Sequence, residues 1–355
     1  MKKNILISTG GTGGHVVPAE VFNEHLKQEF NVYISTDVRG FKYLNKEIKD
    51  IVLIDTPKLN LDFLIIFKFF KVVYLIFKSY SFLKNKKIWK VLSTGGYMSF
   101  PVCISAKLLK LEIYLLEPNF VLGRANKFFL KFCKKIFSYT KKLKNFPKEY
   151  FDKIEIIPPL VRKKFYEKRR PDNKNEKFCC LVVGGSQGSK IFDNIIQDVI
   201  ISLSKNHRIK IIQQTKQSNI ESLKNVYDNV NIENLIFDFK EKFIDLINQS
   251  DLCITRAGAT TLAEISIMNK PFLAIPLQSS KDNHQLENAA FYENLNCCWV
   301  ISQKNFDKMN LQRFLRDILK DKTEYSQKKN NLKKLNFQNT WNDVNQKLLD
   351  IINEN

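Results

Sequence analysis

Several motifs that would fix the class of a protein are missing from this sequence. The seven cysteines contain no C-x-x-C pair and most lie in apolar runs, which argues against a disulfide framework or a zinc site and is typical of a reducing compartment. The apolar run after the first three residues is too short for a signal-peptide core, so we expect a cytoplasmic protein. There is no repeat of solenoid period and no low-complexity tract beyond a basic segment at 162–177.

Acidic residues are also scarce, with 36 Asp and Glu against 57 Lys and Arg and a formal net charge of +21. The excess is concentrated between Lys58 and Lys148, where 19 basic residues stand against three acids among many Phe and Tyr. Such a stretch suits nucleic acid or an anionic membrane, although a lysine-rich composition of the whole chain would give a similar excess. No RRM, KH or helix-turn-helix signature accompanies it, which disfavours nucleic acid.

Strand-length apolar runs alternate with helical patterns along the chain, which predicts doubly wound parallel α/β sheets. At 355 residues the chain exceeds one such core. We expect an N-terminal domain over 1–160 and a C-terminal domain over 161–338, with a last helix at 339–355 that docks on the first domain. The predicted strands are 4–8, 31–35, 51–54, 89–93, 112–116 and 154–157, then 178–183, 209–213, 235–237 and 252–255. Within 253–290 the pattern predicts a helix that contains Glu264, a further strand, a polar loop and another helix.

Nine of the twelve glycines lie in three loops, at 9–15, 94–97 and 184–188, and each loop follows a predicted strand. That is the ligand edge of an open α/β sheet. None of the loops is a Walker A motif or a G-x-G-x-x-G motif. The loop at 184–188 is either an anion cradle, most often for a phosphate, or a tight turn in a buried strand–helix unit. Pro18 and residues 19–30 are predicted to open a helix after the first loop. His15, directly after that loop at the helix start, is well placed for proton transfer.

The apolar segment 61–83 is long enough to suggest a membrane span. It carries Lys68, Lys71 and Lys78, and each lysine costs about 2.5–3.5 kcal/mol near the centre of a bilayer. On a helix these lysines form a narrow stripe, which fits either a helix packed between domains or a helix lying at a membrane interface. We favour the interfacial helix because four more lysines follow directly.

The ordered motifs GGTGGHVVPA, TGGYMSFP with GRANK, VVGGSQGS, and TRAGATTLAEI with NHQLENA closely resemble those of the MurG-type family. The resemblance runs from end to end of the chain. It implies a GT-B glycosyltransferase fold, in which two Rossmann-like domains face each other across a cleft. It also implies an inverting transfer of N-acetylglucosamine from UDP-GlcNAc to the muramoyl sugar of undecaprenyl-diphosphate-linked MurNAc-pentapeptide (lipid I), which gives lipid II for peptidoglycan.

The resemblance further implies where each substrate binds. The N-terminal domain takes the lipid-linked acceptor as a peripheral protein on the anionic cytoplasmic face of the inner membrane, and the C-terminal domain holds UDP-GlcNAc. No cofactor is expected, and the absence of a D-x-D motif fits a donor site without metal. No nucleic-acid partner is expected.

The motif positions assign a role to individual residues. His15 is the expected general base, and Thr12, Gly13 and Gly14 cradle the substrates. Asn119 contacts the sugar, Arg162 and Ser186 the diphosphate, and Gln285 the donor sugar, whereas Lys240 offers only its backbone to the uracil. The expected nucleoside contacts are Ala259, Thr260, Thr261, Leu262, Ala263 and Glu264, the last on the ribose hydroxyls.

The chain departs from the family pattern in two places. Leu116 and Pro118 replace a His and a Gln that precede the expected sugar contact Asn119, and residues 158–160 replace a Gly-Asn-Pro before Arg162. Three alternatives to lipid I glycosylation stay open. A related UDP-sugar:diacylglycerol glycosyltransferase is one, because such enzymes resemble this family, and an inactive nucleotide-sugar binder is another, because of the missing His and Gln. The third is a basic nucleic-acid-binding protein, which would explain the basic stretch between Lys58 and Lys148.

Overall fold

A computed structural model describes residues 2–58, 63, 65–167, 176–184, 190–238, 243–336 and 339–354. Contacts between Cα atoms divide the chain into two units. The first unit comprises Met1–Lys163 together with Asn339–Asn355, and the second comprises Lys164–Gln338.

The first unit contains a seven-stranded parallel sheet with the strand order β3-β2-β1-β4-β5-β6-β7. The register aligns Ser8 with Ser35 on one side and with Ser93 on the other, so the carboxyl ends of three central strands meet at one level. The strands are β1 (Asn4–Ser8), β2 (Asn31–Thr36), β3 (Ile51–Leu53), β4 (Ile88–Ser93), β5 (Glu112–Glu117), β6 (Lys135–Ser138) and β7 (Ile154–Ile156).

Helices cover both faces of this sheet, as the crossovers between parallel strands require. Two clusters of buried apolar side chains lie against the sheet, and the central strands contribute to both. The helices are α1 (Gly13–Leu26), α2 (Val38–Phe41), α3 (Ile65–Asn85), α4 (Phe100–Leu108) and α5 (Arg124–Phe129), with 3₁₀ turns at Tyr97–Ser99 and Lys148–Lys153. No helix in the described ranges is both long and apolar enough to cross a membrane.

The second unit repeats the plan with six parallel strands in the order β10-β9-β8-β11-β12-β13. Its strands are β8 (Phe178–Val183), β9 (Ile209–Gln214), β10 (Glu233–Phe237), β11 (Leu252–Thr255), β12 (Phe272–Ala274) and β13 (Trp299–Val300). Its helices are α6 (Lys163–Glu167, which begins at the boundary), α7 (Lys190–Ser204), α8 (Ile220–Asp228), α9 (Phe243–Gln249), α10 (Ala259–Ile267), α11 (His284–Asn294), α12 (Lys308–Lys320) and α13 (Thr323–Leu335), with 3₁₀ turns at Gln217–Asn219, Lys281–Asn283 and Gln303–Asn305. The predicted pair of doubly wound parallel sheets is confirmed.

The last helix, α14 (Trp341–Asn353), packs against α1 in the first unit. Lys90, buried in β4, donates from Nζ to the carbonyl of Ile352 at 2.6 Å and pairs with Glu112 at 2.7 Å. The carbonyls of a final helical turn have no partner within the helix, so a buried ammonium group is well suited to cap them. Burial lowers the pKa of Lys90, which makes the carboxylate and the carbonyl necessary partners.

The structure corrects three sequence predictions about secondary structure. The first helix was predicted to open at Pro18, but α1 begins at Gly13 and contains that proline. The short strands β6 and β13 were not predicted, because two to four residues give too little alternation to recognise. The helix predicted over 61–83 continues in α3 to Asn85, and of its first residues 61, 62 and 64 lie outside the described residues.

Candidate functional site

The first glycine loop joins β1 to α1 at the carboxyl edge of the first sheet. Gly11 has a φ of +81°, which favours glycine, and a Cβ atom there would lie 2.7 Å from the methyl group at the end of the Met98 side chain. Gly13 differs, because a Cβ atom there would meet no described atom within 4 Å. Thr12, the N-cap, makes no side-chain capping bond, so the first N–H groups of α1 stay available to an anion.

His15 lies in the first turn of α1, half-buried, with its ring against the second glycine loop. Its Nδ1 is 2.7 Å from the carbonyl oxygen of Thr94. A carbonyl only accepts hydrogen bonds, so Nδ1 carries the proton of the neutral ring and Nε2 keeps a lone pair. A Cβ atom on Gly96 would lie 3.7 Å from that Nε2. The arrangement presents a proton acceptor at the carboxyl edge of the sheet.

Asp37, which the sequence analysis did not single out, lies at the same edge directly after β2. Its carboxylate is 1% exposed and accepts from the backbone N–H groups of Gly11 at 2.7 Å and Gly40 at 2.8 Å. Arg39 pairs with it at 3.1 Å and donates to the hydroxyl of Tyr97 in the second glycine loop. An acidic residue that ends a strand next to a glycine loop is the signal that could have identified it.

Glu117, at the end of β5, shapes the loop that carries Asn119. Its buried carboxylate accepts from the side chains of Asn119 at 3.1 Å and Asn126 at 2.9 Å, and from the Gly123 N–H at 2.8 Å. Burial raises the pKa of Glu117, and these hydrogen bonds oppose the rise. Asn119, the predicted sugar contact, is thus held by its neighbour in spite of Pro118.

In the second unit, α10 begins directly after the Arg256-Ala257-Gly258 turn that follows β11. Gly258 caps this helix without a side-chain bond, and the Oγ1 of Thr260 is buried without a hydrogen-bond partner among the described residues. Glu264 lies in the second turn and is 3% exposed, so it is not a solvated surface residue. Of the other predicted nucleoside contacts, Leu262 and Ala263 turn their side chains into the core and can offer only backbone atoms.

Gln285, near the start of α11, joins two loops of the second sheet. Its Oε1 accepts from the N–H groups of Ala257 at 3.2 Å and Leu277 at 2.9 Å. Any contact of Gln285 with a sugar would therefore come from its amide nitrogen. Asn288, one turn further along, donates to the Ala257 carbonyl at 3.0 Å and fixes the same turn.

Of the remaining predicted site residues, one is described by the structure and two are not. Arg162 is half-buried and belongs to the first unit, two residues before its boundary. Ser186 and Lys240 lie outside the described residues, so the predicted diphosphate contact and the uracil contact have no structural description here. Within the described ranges, no group of three or more His, Cys, Asp or Glu side chains is arranged to hold a metal ion.

Helix α3 has two apolar faces, of which one is exposed. Val72, Leu75 and Leu83 are buried against the unit. The opposite side, termed here the apolar face of α3, is 58% to 73% exposed and consists of Ile66, Phe67, Phe69, Phe70, Tyr74 and Phe77. Lys71 approaches Asp55 at 3.4 Å and Lys78 donates to the carbonyl of Leu53 at 3.1 Å, so these two lysines border that face. Lys68 is half-buried.

Comparison with known proteins places both units in one family. Residues 5–138 match the glycosyltransferase family 28 N-terminal domain, and residues 179–344 match the glycosyltransferase family 28 C-terminal domain. A crystal structure of Acinetobacter baumannii MurG covers 99% of this chain and of its own with a TM-score of 0.77 at 22% identity. A UDP-glucosyltransferase from Polygonum tinctorium has a TM-score of 0.73 at 10% identity, covering 99% of this chain and 98% of its own. The fold is that of the GT-B glycosyltransferases.

Two curated relatives narrow the class further. A UDP-N-acetylglucosamine--N-acetylmuramyl-(pentapeptide) pyrophosphoryl-undecaprenol N-acetylglucosamine transferase of Pelagibacter ubique (strain HTCC1062) is 47% identical over 356 residues and 100% of both chains. The protein of that name from Rickettsia bellii (strain RML369-C) is 33% identical, covering 90% of this chain and 91% of its own. The chain belongs to this family of N-acetylglucosamine transferases.

Proposed function

We propose that this protein transfers N-acetylglucosamine from UDP-GlcNAc to the muramoyl sugar of lipid I, giving lipid II for peptidoglycan synthesis. The observation that carries the proposal is the 47% identity over the whole length of a relative with that name. The match spans both glycine loops of the first unit and the α10 turn of the second.

The proposed chemistry is a single displacement with inversion. The acceptor hydroxyl oxygen forms a bond to the anomeric carbon of GlcNAc, while the bond from that carbon to the diphosphate oxygen breaks and UDP leaves with the electron pair. The hydroxyl proton goes to Nε2 of His15, whose other ring nitrogen is committed to Thr94 at 2.7 Å. Histidine is the side chain that most often serves as a general base in enzymes.

The second unit is proposed to bind the donor. The uncapped start of α10 supplies N–H groups and the positive end of a helix dipole. Buried Glu264 is proposed to accept from the ribose hydroxyls, and Arg162 and Ser186 to stabilise the charge that develops on the diphosphate. Because helix N–H groups and Arg162 supply that stabilisation, the proposed transfer uses no metal ion.

The first unit is proposed to bind the acceptor. Its diphosphate would lie on the uncapped N–H groups at Gly13 and Gly14, and Asn119 would contact the sugar. The exposed apolar face of α3, bordered by Lys71 and Lys78, is proposed to rest on the anionic cytoplasmic leaflet as a peripheral contact, with half-buried Lys68 adding to the positive charge of the helix. This contact would bring the site to its lipid substrate.

The test is a transfer assay with radiolabelled UDP-GlcNAc and a synthetic lipid I, with diacylglycerol as the competing acceptor. We expect transfer to lipid I alone, and His15→Ala to reduce kcat at least 100-fold. His207→Ala, a histidine of the second unit outside the proposed site, is the matched control. Transfer to diacylglycerol would refute lipid I as the acceptor. Full activity in His15→Ala would refute His15 as the base.

A further inference from the structure

The hydrogen bonds around His15 close into a ring that joins the first two glycine loops. Asp37 accepts from the Gly11 N–H at 2.7 Å, and one residue later the Thr12 carbonyl accepts from the His15 N–H at 3.0 Å. His15 Nδ1 then donates to Thr94, three residues before Tyr97. The ring closes through Arg39, which contacts the Tyr97 hydroxyl and returns to Asp37.

The two loops in this ring have unusual backbone conformations that need external support. Gly11, Gly95 and Gly96 have φ values of +81°, +85° and +82°. Glycine loses more conformational entropy on ordering than any other residue. Contacts from surrounding side chains are therefore needed to hold these loops in one conformation. The Met98 side chain lies between Gly11 and Gly96, 2.7 Å and 3.0 Å from where their Cβ atoms would be. Thus Met98 fills the space between the loops and Arg39 ties them together.

We propose that Asp37, Arg39 and Tyr97 are positioning residues that set the orientation and the tautomer of His15. The proposal rests on the proposed function, in which His15 takes the acceptor proton. The Asp37 carboxylate fixes the loop before α1, and Arg39 transmits that constraint to the loop that presents the Thr94 carbonyl. If the second loop shifts, Nδ1 loses its acceptor, and the neutral ring is no longer held with its lone pair on Nε2.

The experiment compares Arg39→Gln, Tyr97→Phe and the double variant. Both substitutions remove the same link in the ring, and neither removes a buried charge, because the Arg39 side chain is 48% exposed. We expect each to lower kcat roughly 10- to 100-fold, since small misplacements of a catalytic group cost that much. KM for both substrates should stay within about twofold, and the double variant should be no slower than the slower single variant. Lys42→Gln, an exposed cation five residues after the N-cap of α2, is the matched control.

A second readout does not depend on turnover. The chain has four histidines, so ¹⁵N-detected NMR can follow the ring nitrogens of His15, assigned with a His15→Gln sample. We expect the Nδ1–H tautomer in the parent protein and a mixture with the Nε2–H tautomer in both ring variants.

The outcomes separate this inference from the proposed function. Parental kcat and an unchanged His15 spectrum in the ring variants would overturn the inference, while the loss of activity in His15→Ala would still support the base. A rise in acceptor KM alone would also overturn it, because Arg39 would then be a substrate contact. A changed tautomer in the ring variants together with full activity in His15→Ala would sustain the positioning role but refute the base.

Discussion

At the scale of single residues, Glu117 shows how one buried carboxylate determines the shape of a whole loop. The peptide after β5 turns back on itself, and the N–H groups of Asn119 and Gly123 both point at this side chain, at 3.2 Å and 2.8 Å. The Asn126 amide joins them and also donates to the carbonyl of Leu116 at 2.9 Å. The Leu116 side chain is buried, where the family pattern has a histidine.

We predict that Glu117→Gln destabilises the protein and reduces transfer. The new amide NH₂ group would face N–H donors, which leaves buried donors unsatisfied at a cost of about 1–3 kcal/mol. Urea unfolding measures this cost as a lower midpoint with an unchanged m-value. Asn119→Ala, which removes only one donor, should cost less stability while it lowers transfer to a similar extent. Equal stability of Glu117→Gln and the parent would contradict the role of the carboxylate.

Residues with a motif around them could be predicted from the sequence, and residues that act only through folding could not. His15 and Glu264 belong to sequence motifs that indicate a functional site. In the structure, His15 lies in the first turn of α1 at the carboxyl edge of the first sheet, and Glu264 is buried near the start of α10. Asp37 offers only the weak signal of an acidic residue at the end of a strand, and Arg39 offers none. They matter because β2 lies beside β1 in the sheet, which places their loop next to Gly11.

At the scale of elements, α3 is a helix whose buried side is less aromatic than its exposed side. It packs on α4, and Ser105 of that helix donates to the carbonyl of Ile76 at 2.7 Å. A water-facing row of Phe and Tyr is unfavourable in solution, because removing each ring from water would lower the free energy. The helix is therefore built to be covered.

We predict that the apolar face of α3 contributes more to membrane binding than its lysines. The triple variant Phe67→Ser, Phe70→Ser and Phe77→Ser should weaken binding to vesicles by on the order of 100-fold, at about 1 kcal/mol for each partly inserted ring. Pelleting with both neutral and phosphatidylglycerol-containing vesicles measures this loss. Changing Lys68, Lys71 and Lys78 to Glu should weaken binding to the anionic vesicles only, and more at low salt.

Met309→Ser is the matched control for this experiment, since that side chain is 71% exposed in the second unit. Undiminished pelleting of the triple phenylalanine variant would rule out the apolar face as the membrane contact.

The bounds of an element could be predicted where an apolar run defines them. They could not be predicted where the geometry of a loop sets them. Strands β1, β8 and β11 have their predicted bounds. The start of α1 did not follow, because glycines and a proline are poor helix formers by propensity. Here the loop geometry starts the helix, with the Thr12 carbonyl accepting from Val16 at 3.2 Å.

At the scale of the whole molecule, the pairing of α1 with α14 joins the beginning of the chain to its last helix. His25 stacks on Trp341 with ring centroids 3.6 Å apart, and its Nδ1 donates to Asn345 at 3.0 Å. Burial lowers the pKa of His25 from 6.5 to about 4, because the charged ring would lose its hydration.

We predict that this contact makes the first unit less stable in mild acid. Unfolded His25 binds a proton near pH 6.5, whereas the folded ring resists protonation down to about pH 4. Its contribution is therefore complete above pH 6.5 and falls as the pH drops to 4, by about 3 kcal/mol in total. Urea unfolding at several pH values measures the slope.

His25→Phe keeps the stacking partner and should remove this part of the pH dependence. Asn345→Ala should keep it, because burial is the larger cause of the shift. An identical slope in the parent and in His25→Phe would exclude His25 as the titrating group.

The two-sheet architecture was the most predictable property of the molecule, because alternating strands and helices leave few topologies for a chain of this length. The closing contacts of Lys90 with the last turn of α14 were not predictable. They join residues more than 250 positions apart, Lys90 and Ile352, which no local pattern connects.

The return of α14 to the first unit has a consequence for synthesis on the ribosome. The apolar cluster under α1 includes Val344, Leu348 and Ile352, which are translated after the whole second unit. The second unit is one continuous stretch, Lys164–Gln338, and can complete its core while the chain is still being made. The first unit, although begun earlier, finishes later, and until then the apolar surface of α1 that α14 covers stays exposed.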